Sequence, residues 1–422
     1  MNGELSRLLR QVRILDPITQ SDRIADVLII NHKIASIDSN ITDFPPDTQI
    51  IDDRKLVLGT GLVDLYSHSG EPGNESRETL QTLAASAAAG GFTQIAVLPD
   101  TMPRIDNSQV LTSLQQKTQY LGNDHCPQIH FWSAISSGRE QKQMTELAEL
   151  RHHAMGFSDR FCLADLPFLK QALEYLQPLQ KPVAIDISAN ELTGQGVIRE
   201  GVNSVRYGMV GNPDYSEASA IAAILEIVAT IKTPIHLMRV STARGVELIA
   251  TAKERGIPVT ASTTWMHLLF STADLASYDP NLRLEPPLGN PSDLQVLQEG
   301  VQTGIIDAIA IDHQGYTYEE KTVAFSEAPT GAIGLQLALP ILWQKFVATQ
   351  KWSALQLWQA LSTNPQLCLQ QTPNTIAIDT TEFTLFEPEK IWTVNYQNIH
   401  SLSTNTPWWG QQIRGKTISS LS

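Results

Sequence analysis

Residues 61–99 run GLVDLYSHSGEPGNESRETLQTLAASAAAGGFTQIAVLP. Leu62-Val63-Asp64-Leu65 reads as an apolar strand. Arg77–Ala89 reads as a helix stopped by Gly90-Gly91, and Gln94-Ile95-Ala96-Val97-Leu98 as a second strand ending at Pro99. The alternation returns downstream. Strands at Pro182–Ile185, Pro234–Met238 and Val259–Ala261 are separated by helices at Tyr215–Ile231 and Ala243–Arg255, and Ile306–Ile311 is a further buried strand. Strands without polar alternation, spaced by helices, belong to a parallel sheet covered on both faces. Such units over about 310 residues predict an α/β chain with a (β/α)8 TIM-like barrel rather than an open sheet. Polar residues just after the strands would then stand at the functional mouth: Tyr66, His68, Asp100, Asp159, Asp186, Arg239, Asp312 and His313.

Toward both ends the pattern changes. Val12–Leu15, Asp26–Ile30 and Ile34–Ile37 are short β-branched runs punctuated by turns, and Thr375–Ile378, Phe383–Phe386 and Ile391–Val394 repeat the style. The two ends are expected to build one small β-sandwich domain from residues 1–57 and 368–422, with the barrel in residues 58–367.

Composition narrows the function. The 422 residues are 42% hydrophobic and 18% charged, an ordinary globular balance. A net charge of −14 disfavours nucleic acid as a partner. Three scattered cysteines, Cys126, Cys162 and Cys368, make neither a disulfide framework nor a thiolate zinc site. No apolar run is long enough to span a membrane and the first residues do not read as a signal peptide, so a cytoplasmic protein is expected.

The string from Gly61 to Gly73 resembles the Asp-x-His-x-His-x-Arg-Glu-Pro-Gly motif of the dihydroorotase branch of the cyclic amidohydrolases. Further likenesses follow in order. Pro99-Asp100-Thr101-Met102-Pro103 resembles Pro-Asn-Thr-x-Pro, and Gly156-Phe157-Ser158-Asp159 resembles Gly-Phe-Ser-Asp. Val240-Ser241-Thr242, Tyr278-Asp279-x-Asn281, Pro286-Pro287-Leu288 and Ile311-Asp312-His313 match later signatures, as do Glu320-Lys321, Ala328-Pro329 and Asn405-Thr406-Pro407. The resemblance implies a pair of zinc ions that activate a water, held by imidazole and carboxylate ligands, with the final aspartate also moving protons.

The departures from that pattern lie where the chemistry should be. Of the ligand positions, His68, Asp159 and Asp312 are retained, while Tyr66, Asp186 and Arg239 replace histidines. Arginine is a permanent cation without an acceptor lone pair, and tyrosine is a poor zinc ligand at neutral pH. At the positions that resemble the family's substrate clamp stand Gly70, Asp100 and Tyr316, with Asn281 retained nearby. Asp100 in place of an amide, with no guanidinium at Gly70, disfavours a small anionic substrate. One arrangement unites the substitutions: Arg239 clustered with Asp159, Asp186 and Asp312 in the electrostatic place of the zinc ions. Asp312, the family's general acid/base position, would then stand idle.

Other polar residues take plain readings. Ser241 and Thr242 lack a His–Asp relay and read as strand-end hydrogen-bonding groups. His152 and His153 are adjacent, a poor spacing for joint ligation on a helix. His236 and His267 read as packed histidines, and Trp408-Trp409 as a sheet-edge or domain-junction contact. Gly194-x-Gly196 lacks the setting of a dinucleotide loop.

Three functions remain open. The first is a catalytically silent dihydroorotase-like protein of pyrimidine biosynthesis, without cofactor. The resemblance to inactive bacterial subunits implies that it serves aspartate transcarbamoylase as a structural or regulatory partner; separately, a homo-oligomer is expected. The second is an active zinc-dependent cyclic amidohydrolase with a rebuilt metal site on His68, acting on dihydroorotate or a hydantoin- or allantoin-type ring. A small-molecule sensor that keeps the pocket without the chemistry is a third reading, with Asp100 and Glu285 favouring a cationic or neutral ligand.

Overall fold

The computed structural model describes residues 6–121, 126–187 and 190–418. Its first barrel strand, Leu62–Ser67, is buried along its whole length, as an apolar run covered on both faces must be. The helix that follows is Leu80–Gly90. It starts later than the expected Arg77 because Thr79 caps it: the Thr79 hydroxyl accepts from the Thr82 amide at 3.1 Å, and the Thr82 hydroxyl accepts from the Thr79 amide at 3.0 Å. It ends at Gly91 with φ 86°, a left-handed turn that a side chain would also fill against Thr384.

Seven further parallel strands follow: Phe92–Val97, Gln128–Ala134, Gly156–Phe161, Val183–Ile187, Ile235–Leu237, Val259–Thr264 and Ala308–Ala310. Gln128–Ala134 and Gly156–Phe161 are the two strands left unassigned by the apolar pattern. The eight strands pair in chain order. Buried Asp64 ties the first strand to the last, accepting from the Ile311 amide at 2.8 Å. Beyond it the Asp312 amide donates to the Tyr66 carbonyl at 3.1 Å and the His68 amide to the His313 carbonyl at 2.8 Å. Helices such as Asp214–Ile231, Ala243–Glu254 and Pro291–Thr303 pack around this barrel. The barrel therefore carries its side-chain cluster at the C-terminal strand ends, where such folds place their chemistry.

Both termini join in a second sheet of seven strands. Ser6–Asp16, Ser21–Ile30, Lys33–Asp38, Gln49–Asp52 and Val57–Thr60 pair with Phe383–Thr393 and Gln412–Ile418. Residues 1–5 and 419–422 of the expected domain lie outside the described residues. The expected strand at Thr375–Ile378 is irregular instead. Asp379 turns the chain at φ 68°, and the Ile376 amide is taken by Asp16 at 3.1 Å rather than by a neighbouring strand. The two runs Phe383–Phe386 and Ile391–Val394 are essentially one strand, Phe383–Thr393, whose register shifts between Glu387 and Ile391, where Pro388 cannot donate a ladder bond. The sheet locks onto the barrel through Trp358, whose indole donates to the Thr60 carbonyl at 2.8 Å, and through the Thr384 hydroxyl, which donates to the Gly91 carbonyl at 2.5 Å. Among the described residues, no helix is long and apolar enough to cross a membrane.

Candidate functional site at the barrel mouth

Arg239 follows the sixth barrel strand and adopts φ 55°, a left-handed conformation that carries its side chain across the mouth. Its backbone amide donates to the Tyr66 hydroxyl at 3.1 Å, and its guanidinium lies 5.1 Å from the centroid of the Tyr66 ring. Two guanidinium nitrogens grip Asp312 in a fork: Nε donates to Oδ2 at 2.8 Å and Nη2 to Oδ1 at 2.6 Å. Nη1 reaches Asp186 Oδ2 at 3.0 Å. Only 5% of Arg239 is exposed. Burial opposes its charge, but Asp312 and Asp186 outweigh burial and raise the guanidinium pKa further. Asp312 is itself held below the carboxylate range: burial pushes it up, and Arg239 and His68 more than offset this.

His68 completes the cluster. Its Nδ1 lies 2.6 Å from Asp100 Oδ2, while Nε2 lies 3.1 Å from Arg239 Nη2 and 3.3 Å from Asp312 Oδ1. A neutral ring accepts from the guanidinium; a protonated ring donates to both carboxylates. Burial disfavours the charged ring, but Asp100 and Asp312 prevail and raise its pKa to about 9. Asp100 is depressed in return: its burial penalty is offset by His68, Arg139 and Arg239.

Tyr66 cannot serve as an ionised ligand. Burial pushes its phenol above the ordinary range despite Arg239, and its oxygen is already shared with Ser262 at 2.9 Å. Asp186 accepts from Arg160 Nε at 2.8 Å and forms an ion pair with Arg239 Nη1 at 3.0 Å, and the two arginines overcome its burial to keep it ionised.

Asp159 departs from the expected cluster. Strand residues alternate between faces, and in Gly156–Phe161 it is Ser158 and Arg160 that line the mouth. Asp159 lies on the other face, buried against the loop after the third strand. There it accepts from the Ser136 amide at 3.0 Å and hydroxyl at 2.5 Å, Arg139 Nε at 3.1 Å and Gln141 Nε2 at 3.2 Å. It is an anchor for that loop and not a retained ligand, and the inward position beside it belongs to a cation.

The clamp positions are also rebuilt. A Cβ on Gly70 would sit 2.3 Å from the Asn74 carbonyl and 2.5 Å from that of Glu78, so no arginine fits there without moving the backbone. Tyr316 is stacked between cations rather than lining the cavity, its ring 4.9 Å from Arg77 and 5.2 Å from Lys321. Asn281 sits in a turn after Asp279 and is likewise absent from the cavity wall.

The plain readings of the other residues agree with their contacts. Glu217 gathers the hydroxyls and amides of Ser241 and Thr242. His236 bridges Thr260 at 2.9 Å and Ser262 at 2.8 Å, and burial lowers its pKa to about 3. His267, lowered by burial to about 4, donates to the Pro286 carbonyl at 3.1 Å. Trp408 stacks on Trp265 with centroids 5.0 Å apart.

A Synechocystis sp. protein named as a probable dihydroorotase-like protein is 41% identical over 438 residues, spanning 97% of this chain and 98% of the relative. The chain belongs to the dihydroorotase-like family of cyclic amidohydrolases. A family model described as Dihydro-orotase-like matches residues 54–243, and a dihydroorotase of Syntrophus aciditrophicus is 32% identical across 98% of the chain and 97% of its own length. The barrel and terminal sheet also superpose on the L-hydantoinase (dihydropyrimidinase) of Arthrobacter aurescens with a TM-score of 0.82. That likeness covers 98% of this chain and 94% of the other at 20% identity, and speaks for the fold.

The donor set of this dihydroorotase-like mouth does not fit a zinc ion. Between His68, Asp186 and Asp312 lies the Arg239 guanidinium, within 3.1 Å of each of the three side chains. Among the described residues, no three His, Cys, Asp or Glu side chains are arranged to hold a metal. Sequence reasoning missed Arg104, Arg139 and Arg160, all on the cavity wall. Two signals were available: the alternation of Phe157-Ser158-Asp159-Arg160, and an arginine directly after the Pro99–Pro103 motif.

Proposed function

We propose that this chain is a catalytically silent dihydroorotase-like protein that contributes its folded surface, not hydrolysis, to pyrimidine biosynthesis in the cytoplasm. The observation that carries this reading is the fork of Arg239 on Asp312, with Asp186 on its other amine, where a water-activating metal would need lone pairs. An Asp312 committed to a guanidinium and held ionised is a poor proton shuttle, since its pKa lies far from neutrality. Asp100 tied to His68, and Gly70 closed to any side chain, remove two of the groups that would orient the ring.

The partner we propose is aspartate transcarbamoylase, with the chain as a homo-oligomeric structural or regulatory subunit. Support comes from the family resemblance and from an intact barrel whose chemistry is substituted; it is an analogy of fold rather than a contact. The experiment is affinity purification of the tagged chain from its native cell, with assay of the same preparation on dihydroorotate and N-carbamoylaspartate. The reading expects transcarbamoylase to copurify and neither compound to be turned over. Ring opening by the purified chain with added zinc would replace it with an active amidohydrolase, and a chain that purifies without transcarbamoylase would remove the partner.

A further inference from the structure

The mouth encloses a cavity of about 340 Å³, within the range of small-metabolite sites. Four arginines line it: Arg104, Arg139, Arg160 and Arg239. Their hydrogen-bonding is uneven. Arg239 is held by Asp312 through Nε and Nη2 and by Asp186 through Nη1. Arg139 and Arg160 each spend Nε on one carboxylate, Asp159 and Asp186 respectively, and their terminal amines donate no hydrogen bond to a described residue. Arg104, in the loop after the second strand, has no side-chain partner among the described residues. The carboxylates of the wall are mostly spoken for: Asp100 by His68, Asp312 by Arg239 and His68, Asp186 by Arg160 and Arg239. Among the described residues of the wall, Glu285 is the acidic group without an ion pair inside 4 Å; its charge acts on Arg160 and opposes an incoming anion, while the unpartnered Asp100 Oδ1 is buried.

Among the described residues of this wall, unpaired acceptors are few, and the guanidinium N–H groups of Arg104, Arg139 and Arg160 are in excess. Planar guanidinium forks match carboxylate and phosphate oxygens better than any other side chain. From this juxtaposition of Arg104, Arg139 and Arg160 around one cavity we infer a binding site for a small oxyanion, a phosphate- or carboxylate-bearing metabolite. The anion's oxygens take the three guanidinia. The site shares one cavity with the Arg239 cluster and uses guanidinium amines that the cluster leaves free. It stands whether or not the barrel opens a ring.

Isothermal titration of the whole protein with inorganic phosphate, citrate and dihydroorotate, each at low salt, tests the inference. At least one probe should bind saturably, and the preferred one identifies the oxyanion as phosphate or carboxylate. Arg104→Ala and Arg160→Gln should each weaken that probe about ten-fold or more, the cost of a lost charge-assisted contact. Melting curves of both variants guard against misfolding, and Arg104→Lys should recover part of the affinity because it keeps the charge without the fork. Absence of saturable binding for all three probes overturns the inference. So does binding that both variants leave unchanged.

Discussion

Arg239 is the residue on which the site turns, and its removal has a calculable consequence. Arg239→Ala would leave Asp312 and Asp186 facing each other without their shared counter-ion, the situation that costs about 3–5 kcal/mol when one member of a buried pair is deleted. Urea denaturation of the variant should show a fall of that order. His68 adds a pH dependence with a defined sign. Its folded pKa, near 9, lies above the ordinary value of about 6.5. Its stabilising charge is fully present below about pH 6.5 and is lost as the pH rises through 9. Denaturation midpoints measured from pH 6 to 10 should therefore decline for the native chain, and His68→Gln should flatten that decline. Gly70→Arg, which on sequence grounds would restore a substrate arginine, should instead lower stability, because the backbone carbonyls of Asn74 and Glu78 already occupy the space of a Cβ.

At the scale of elements, the fourth barrel strand decides what the mouth is. One step of register separates an anchor from a wall: Asp159 holds the loop carrying Ser136, Arg139 and Gln141, and Arg160 faces the cavity. Asp159→Asn should loosen that loop, seen as faster amide exchange over residues 136–145, while melting less than Arg239→Ala does. The sequence made the strands with unbroken apolar runs visible, because burial on both faces leaves no polar alternation to confuse them. Gln128–Ala134 was hidden by Gln128 and His130, which half-expose its first turn of chain. The irregular Thr375–Ile378 looked like a strand because β-branched residues were counted without the turn at Asp379. Among site residues, Tyr66, His68, Asp100, Asp186, Arg239 and Asp312 were legible from motif order and do meet at one place. The facing of Asp159 and Arg160 depends on strand register and the placement of Arg139 on loop closure, which motif matching alone does not encode.

The whole molecule keeps everything that specifies the barrel while its mouth has exchanged lone pairs for guanidinium groups. The terminal sheet remains locked to the barrel by tight packing, and a Cβ on Gly59 would fall 2.3 Å from the Trp358 ring. Gly59→Ala should thus lower the melting temperature of the entire chain without altering the mouth. A fold preserved at this level, around a centre whose cation is a side chain, is what a protein valued for its surface or its ligand would retain. The direct measurement is elemental analysis of zinc in the purified chain after incubation with excess zinc and desalting. The account predicts no stoichiometric zinc, because Arg239 already neutralises Asp186 and Asp312. Zinc retained in a stoichiometric amount, and lost on His68→Ala, would contradict it.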